Sequence, residues 1–304
     1  MAKVLFGIGL RRLDNTAVDA RKAEALGYEL VSTGEHVFFH GPTGNGLISL
    51  AAAAGATNTI QLISTITLVP LYPAALLAKQ VSALDVLSGG RFQLGVGVGG
   101  EYTKEFEACG VPVGERGART NEALKLMKRL WTEDNVVFDG RFNQLGGVTL
   151  SPKPTQKPHP PIWISGRSAA AMKRCALYGT GWLPYMYTPE KLEESLASIA
   201  GYAAEIGRSD PVEPGMFIFF CVHEDREQAV RMASEQLSVQ YNQDFSKLVG
   251  RYAVAGNPDD CTARLREYVA AGARSIILNS ACPGGYVEEN ERLLANTVLP
   301  ALRA

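Results

Sequence analysis

Glu35 and His36 stand side by side at the end of a short β-type run, residues 30–32. An imidazole titrates near neutral pH without special surroundings, so a histidine next to a carboxylate is equipment for general acid or base chemistry. The plainer reading of the pair is a glutamate that caps the next helix and a packed histidine. His36 and His40 have the spacing of two metal ligands on a helix. Val37-Phe38-Phe39 and Gly41-Pro42 do not continue a helix, however, and the chain has 4 histidines and no H-E-x-x-H, so no metal is expected. Ser165-Gly166-Arg167-Ser168 offers a second chemistry: a glycine turn, two hydroxyls and an arginine at a helix start form a cradle for phosphate. Taken alone, Ser165 or Ser168 reads as an ordinary helix cap.

Gly95-Val96-Gly97-Val98-Gly99-Gly100 matches the dinucleotide fingerprint G-x-G-x-x-G. That fingerprint belongs after the first strand of a βαβ unit and opens a helix directly. Here it follows a fourth strand, and the glycines read better as backbone that approaches a neighbour or a flat ligand closely.

The elements that must position these residues alternate along the chain. Strands are expected at 4–10, 30–32, 60–68, 92–98, 162–165, 181–183, 216–222 and 275–278, separated by helical patterns. Such alternation means βαβ units and a parallel sheet. Eight strands in 304 residues describe a (β/α)8 TIM barrel within one domain, 1–304, rather than an open doubly wound sheet. Residues 101–161 break the beat after strand four and are expected as an insertion ending in a proline-rich linker. Function in such a barrel belongs where strands end and helices begin.

Composition limits the partners. Lys+Arg 30 against Asp+Glu 31 gives a formal net charge of -1, with no concentrated basic run for nucleic acid or an anionic membrane. From Val37 to Ala78 there is no Asp, Glu, Lys or Arg. A spanning helix needs about 20 consecutive apolar residues, and Gly, Pro, Asn and Thr interrupt this stretch throughout. It reads as buried soluble structure instead. The 5 cysteines are scattered, without C-x-x-C spacing, and no cleavage site follows the first apolar run, so a reduced, cytoplasmic setting is expected.

The strand ends, in this order, resemble the bacterial luciferase-like flavin and deazaflavin oxidoreductase family. The resemblance is carried by QVSALDVLSGGRFQLGVGVGG at 80–100, EFEACGVPVGERGARTNEALKLMKRLW at 105–131, PKPTQKPHPPIWISGRS within 151–182, and AGNPDDCTARLREYVAAGARSIIL at 255–278. It implies a TIM barrel that binds coenzyme F-420, or alternatively FMN, and performs hydride transfer or monooxygenation on a small organic molecule. Glu35, where the family more often has Asp, and His36 match its acid and histidine facing the reacting ring edge. A non-prolyl cis bulge beneath the ring falls at Thr65-Ile66. Val98, Gly99 and Gly100 match its ring surroundings, and Ser165, Gly166, Arg167 and Ser168 its phosphate segment. Glu101, after one extra glycine, resembles the proton donor of some deazaflavin enzymes. The resemblance also implies a homodimer. Two further classes stay open: a non-catalytic barrel that binds the ring, and an aldolase or isomerase, for which no Schiff-base lysine or metal cluster is evident. The charge-free stretch is then expected as the apolar wall of a cofactor site.

Overall fold

The computed structural model describes residues 3–303. Strands β1 (Leu5–Gly9), β2 (Leu30–Thr33), β3 (Gln61–Ser64), β4 (Thr67–Leu68) and β5 (Phe92–Gly97) come first. A hairpin of β6 (Val136–Asp139) and β7 (Gln144–Val148) follows, then β8 (Ile162–Ile164), β9 (Gly181–Trp182), β10 (Glu213–Val222), β11 (Ala253–Gly256) and β12 (Ser275–Ser280). The parallel sheet runs β1-β2-β3-β5-β8-β9-β10-β12 and closes where β12 pairs with β1. Counting β3 and β4 as one interrupted strand, this is an eight-stranded TIM barrel, as the alternation predicts.

The strand expected at 60–68 is interrupted at Thr65-Ile66, whose peptide is cis as the family resemblance implies, and it resumes as β4 alongside β5. Two details depart from the sequence reading. β11 was not expected; its Ala-Val-Ala-Gly run is too short and too small to signal a strand, yet it pairs with the last four residues of β10. The pattern of residues 225–248 predicts one continuous helix, but the helix ends at Tyr241, where Asn242 caps it in the left-handed conformation (φ 49°). Within 101–161, helix Arg116–Thr132 buries Leu124, Met127, Leu130 and Trp131 in the same core as the barrel helices. It is the barrel's own fourth helix, and the hairpin with the proline-rich run is what is added.

Side chains alternate along each strand, so each strand feeds two cores. Phe6, Ile8, Val31, Leu62, Leu94 and Ile276 face outward into the helix layer. Leu30, Ile63, Trp163, Leu183 and Ile277 plug the barrel interior. Trp163 lies across the axis because Gly181 and Gly215 flank it: a Cβ at either would stand 2.3 and 2.8 Å from its ring.

The glycines of β5 make room for the interrupted third strand. A Cβ on Gly95 would fall 1.8 Å from the Ser64 carbonyl oxygen, and one on Gly97 1.6 Å from Ile66 Cδ1. Backbone is the obstacle at Gly95, so Gly95→Ala should lower stability in urea denaturation by about 3 kcal/mol, the upper range for overpacking. Gly55→Ala, in an exposed helical position with nothing within 4 Å of the new methyl, should instead raise it by about 0.5 kcal/mol.

Candidate active site

A cavity of about 1060 Å³ occupies the mouth where the strands end, and every residue singled out from the sequence at those strand ends lines it.

Glu35 is buried, and its carboxylate is fully engaged. Oε1 accepts from the Leu68 amide of β4 at 2.9 Å, and Oε2 from the Tyr72 hydroxyl at 2.9 Å and from the Gly46 amide at 3.3 Å. Gly46 begins helix Gly46–Ala56, so the capping geometry is present. Burial pushes the Glu35 carboxyl above its ordinary value even though three donors favour the charged form.

His36 is oriented differently. Its Nδ1 lies 3.3 Å from both carboxylate oxygens of Glu105, and its ring stacks on Phe39 with centroids 4.3 Å apart. Glu105 is fully buried in helix Lys104–Ala108 and also accepts from the Val37 amide at 3.2 Å. A carboxylate can only accept, so Nδ1 carries the proton and Nε2 is left for a bound molecule. Sequence reading quoted Glu105 within a segment but did not single it out. Its one signal is a glutamate abutting a core phenylalanine, and its partner lies 69 residues away.

Thr65-Ile66 forms the cavity's back wall, with Ile66 laid over Gly97 and the Thr65 carbonyl against Gly34. Gly99 (φ 62°) and Gly100 (φ 110°) take left-handed conformations that favour glycine, and they face Phe106 and Arg116. Glu101 sits exposed at the rim and accepts from the Tyr185 hydroxyl. Ser168 caps helix Ala169–Tyr178 through the Ala171 amide, and Gly166 turns the chain at φ 144°. Arg167 stacks over the Tyr185 ring at 4.9 Å.

The charge-free stretch divides between two roles. Phe39, Pro42, Thr65, Ile66 and Leu68 line the cavity, while the helix between them turns an exposed, uncharged face outward that includes Ile48. No helix among the described residues is long and apolar enough to cross a membrane.

The family profile described as luciferase-like monooxygenase matches residues 8–275. The chain belongs to this family. An F420-dependent glucose-6-phosphate dehydrogenase of Microbacterium testaceum is 27% identical over 92% of this chain and 91% of its own length. An FMNH(2)-dependent dimethylsulfone monooxygenase of Pseudomonas putida is 33% identical over 60% of this chain and 50% of its own. An uncharacterised Mycobacterium tuberculosis relative is 32% identical, and the match spans 64% of its length. Among solved structures, monooxygenase RslO1 from Streptomyces bottropensis superposes with a TM-score of 0.86 at 26% identity, covering 98% of this chain and 99% of that one. The luciferase-like family thus includes F420-dependent and FMN-dependent oxidoreductases.

In this luciferase-like barrel the cavity's cations have no acidic partners. Arg11, Arg116, Arg167 and Arg174 line it, and none makes an ion pair among the described residues, whereas arginines elsewhere such as Arg119, Arg129 and Arg292 do. Arg174 is the most telling. It is buried, held by Asn121 Oδ1 at 2.7 Å and the Gly117 carbonyl at 3.3 Å, and burial lowers its pKa. Its positive charge is thus buried with only neutral oxygens as partners. Sequence reading identified Arg167 but not Arg116 or Arg174, because nothing in a helical pattern marks which arginine turns inward.

Glu35→Ala strands three donors at the barrel mouth and should cost about 3 kcal/mol in urea titration, while Glu35→Gln, which retains an acceptor, should cost about 1 kcal/mol.

Proposed function

We propose that this protein is an oxidoreductase that binds reduced coenzyme F-420 in the mouth cavity and uses it for hydride transfer to or from a small organic substrate. The observation that carries the reading is His36 presented to the cavity by a buried carboxylate, across from a cradle of arginines without acidic partners. When bound, the deazaflavin supplies the hydride.

This chain's residues supply the rest. Ser165, Gly166, Arg167 and Ser168, with Arg116 and the buried Arg174, hold the phosphate. Thr65 and Ile66 would back the ring, and Val98, Gly99 and Gly100 would bound its edge, the two glycines adding no side chain there. His36 Nε2 gives or takes the proton that accompanies hydride movement, and Glu105 fixes its tautomer and stabilises the imidazolium. Glu35 keeps β2, β4 and the following helix in register, so it acts through position. Glu101, with Tyr185 at the rim, serves as a second proton-holding group.

The F420-dependent relative that matches over nearly the whole of both chains favours this cofactor. FMN-dependent monooxygenation is the second reading, favoured by the higher identity of the dimethylsulfone monooxygenase over its shorter match.

Absorbance titration with each cofactor separates the two. Deazaflavin binding at micromolar concentrations without oxygen uptake is expected, and tight FMN binding with oxygen uptake would select the monooxygenase. His36→Ala should lower turnover about 100-fold with ring affinity unchanged. Glu105→Gln should lower it roughly 10-fold. Arg174→Gln should weaken FMN or F-420 binding by about 10- to 100-fold, the value of a hydrogen bond to a charged group, and leave phosphate-free riboflavin unaffected. Equal losses for riboflavin would remove Arg174 from the phosphate site.

A further inference from the structure

The barrel floor on the side of β1, β2 and β12 carries polar groups that neither the proton-transfer pair nor the phosphate cradle uses. Interior side chains alternate along each strand. Two residues beyond the core-plugging Leu30 and Ile277, the next inward positions are Ser32 and Asn279. Between them β1 brings Gly9, which pairs with Ser32 in the sheet. A Cβ on Gly9 would fall 2.2 Å from Asn279 Oδ1, so the carboxamide occupies the place a β1 side chain would take. All three residues line the mouth cavity.

Ser32 is completely buried, and its hydroxyl has no hydrogen-bond partner among the described residues. Burying a hydroxyl unpaired costs about 1–3 kcal/mol. At the opposite end of the barrel the interior polar groups satisfy one another: Gln93 donates to Gln61, and the Trp163 indole donates to Gln93. The unpaired hydroxyl is therefore particular to the cavity end.

Charge and shape narrow the ligand. Serine and asparagine are neutral and can each donate or accept, which suits an uncharged oxygen. Of the nearby charged groups, the Glu35 carboxylate is fully engaged, and Arg11 is turned to the Cys282 carbonyl, to which it donates at 3.1 Å. A continuous row of rings borders the same space. Phe217 meets Phe219 at 5.4 Å, Phe219 meets Tyr241 at 5.9 Å, Tyr241 meets Phe39 at 6.3 Å, and Phe39 stacks on His36. A planar or alicyclic apolar body fits along that row.

We propose that Ser32 and Asn279 form a substrate-anchoring subsite for the carbonyl or hydroxyl oxygen of an uncharged molecule whose aromatic or alicyclic body lies on the Phe217–Phe219–Tyr241–Phe39 wall. The proposal deepens the functional reading above and rests on it for a reaction at this site.

Isothermal titration with acetophenone, ethylbenzene and benzoate, on the protein with and without bound ring, tests it. Acetophenone should bind roughly 10-fold more tightly than ethylbenzene and benzoate, the scale of one or two hydrogen bonds to neutral groups. Ser32→Ala and Asn279→Ala should each erase most of that preference while affinity for the ring changes less than about 2-fold. Ser32→Ala removes only an unpaired hydroxyl, so its melting temperature should not fall, which separates loss of binding from loss of fold. The proposal is overturned if ethylbenzene binds as tightly as acetophenone, if benzoate is preferred, if the preference survives both substitutions, or if none of the three binds at millimolar concentration. Failure of the protein to bind either ring, with the Ser32-dependent preference intact, would sink the cofactor reading alone.

Discussion

The mouth of this barrel is organised around one buried carboxylate. Glu35 leaves the end of β2 and gathers an amide from β4, an amide from the start of helix Gly46–Ala56 and the Tyr72 hydroxyl. Those contacts fasten the interrupted third strand, the loop after β2 and the next helix to one point. His36 follows directly in sequence, so its backbone position is fixed by its neighbour and its ring by a second buried carboxylate, Glu105. Two acids thus flank one imidazole with separate duties: one sets where the histidine stands, and the other sets which nitrogen faces the cavity. Preorganisation of this kind holds the imidazole in one orientation without rearrangement of the site.

The glycine run of β5 shows how a motif can have a physical cause other than the one its pattern suggests. Gly95 is required because the Ser64 carbonyl lies against it, Gly97 because Ile66 leans across it, and Gly99 and Gly100 because their backbone is left-handed. A ligand need touch none of the first pair for them to be indispensable. Their absent side chains shape the site indirectly, by admitting the bulge that forms the cavity's back wall.

Charge is distributed unevenly over the cavity. Arg116, Arg167 and Arg174 collect toward helix Ala169–Tyr178, while Arg11 stands beside the ends of β1 and β12, the floor there carries the neutral Ser32 and Asn279, and an aromatic row runs past His36. Positive charge is therefore densest on one side of the cavity. This asymmetry arises within a chain whose net charge is only -1, so the overall balance said nothing about the local field.

Strand and helix alternation, helix caps such as Ser168, and the Glu35-His36 and Ser165–Ser168 strand ends were readable from the sequence, because each depends on neighbours within a turn or a strand. The eight-stranded barrel followed from counting them. The bulge at Thr65-Ile66 was expected only through the family resemblance, and three things were not readable: the short β11, the identity of Glu105 as partner of His36, and the inward aim of Arg174, Ser32 and Asn279. Each depends on closure of the sheet. His36 meets Glu105 across 69 residues, and Gly9 meets Asn279 only because the last strand returns beside the first. Periodicity and propensity are local properties of a chain and are written in its order of residues. Which polar group ends up paired, buried or unpaired is decided by contacts between segments far apart in sequence, and those exist only once the barrel has closed.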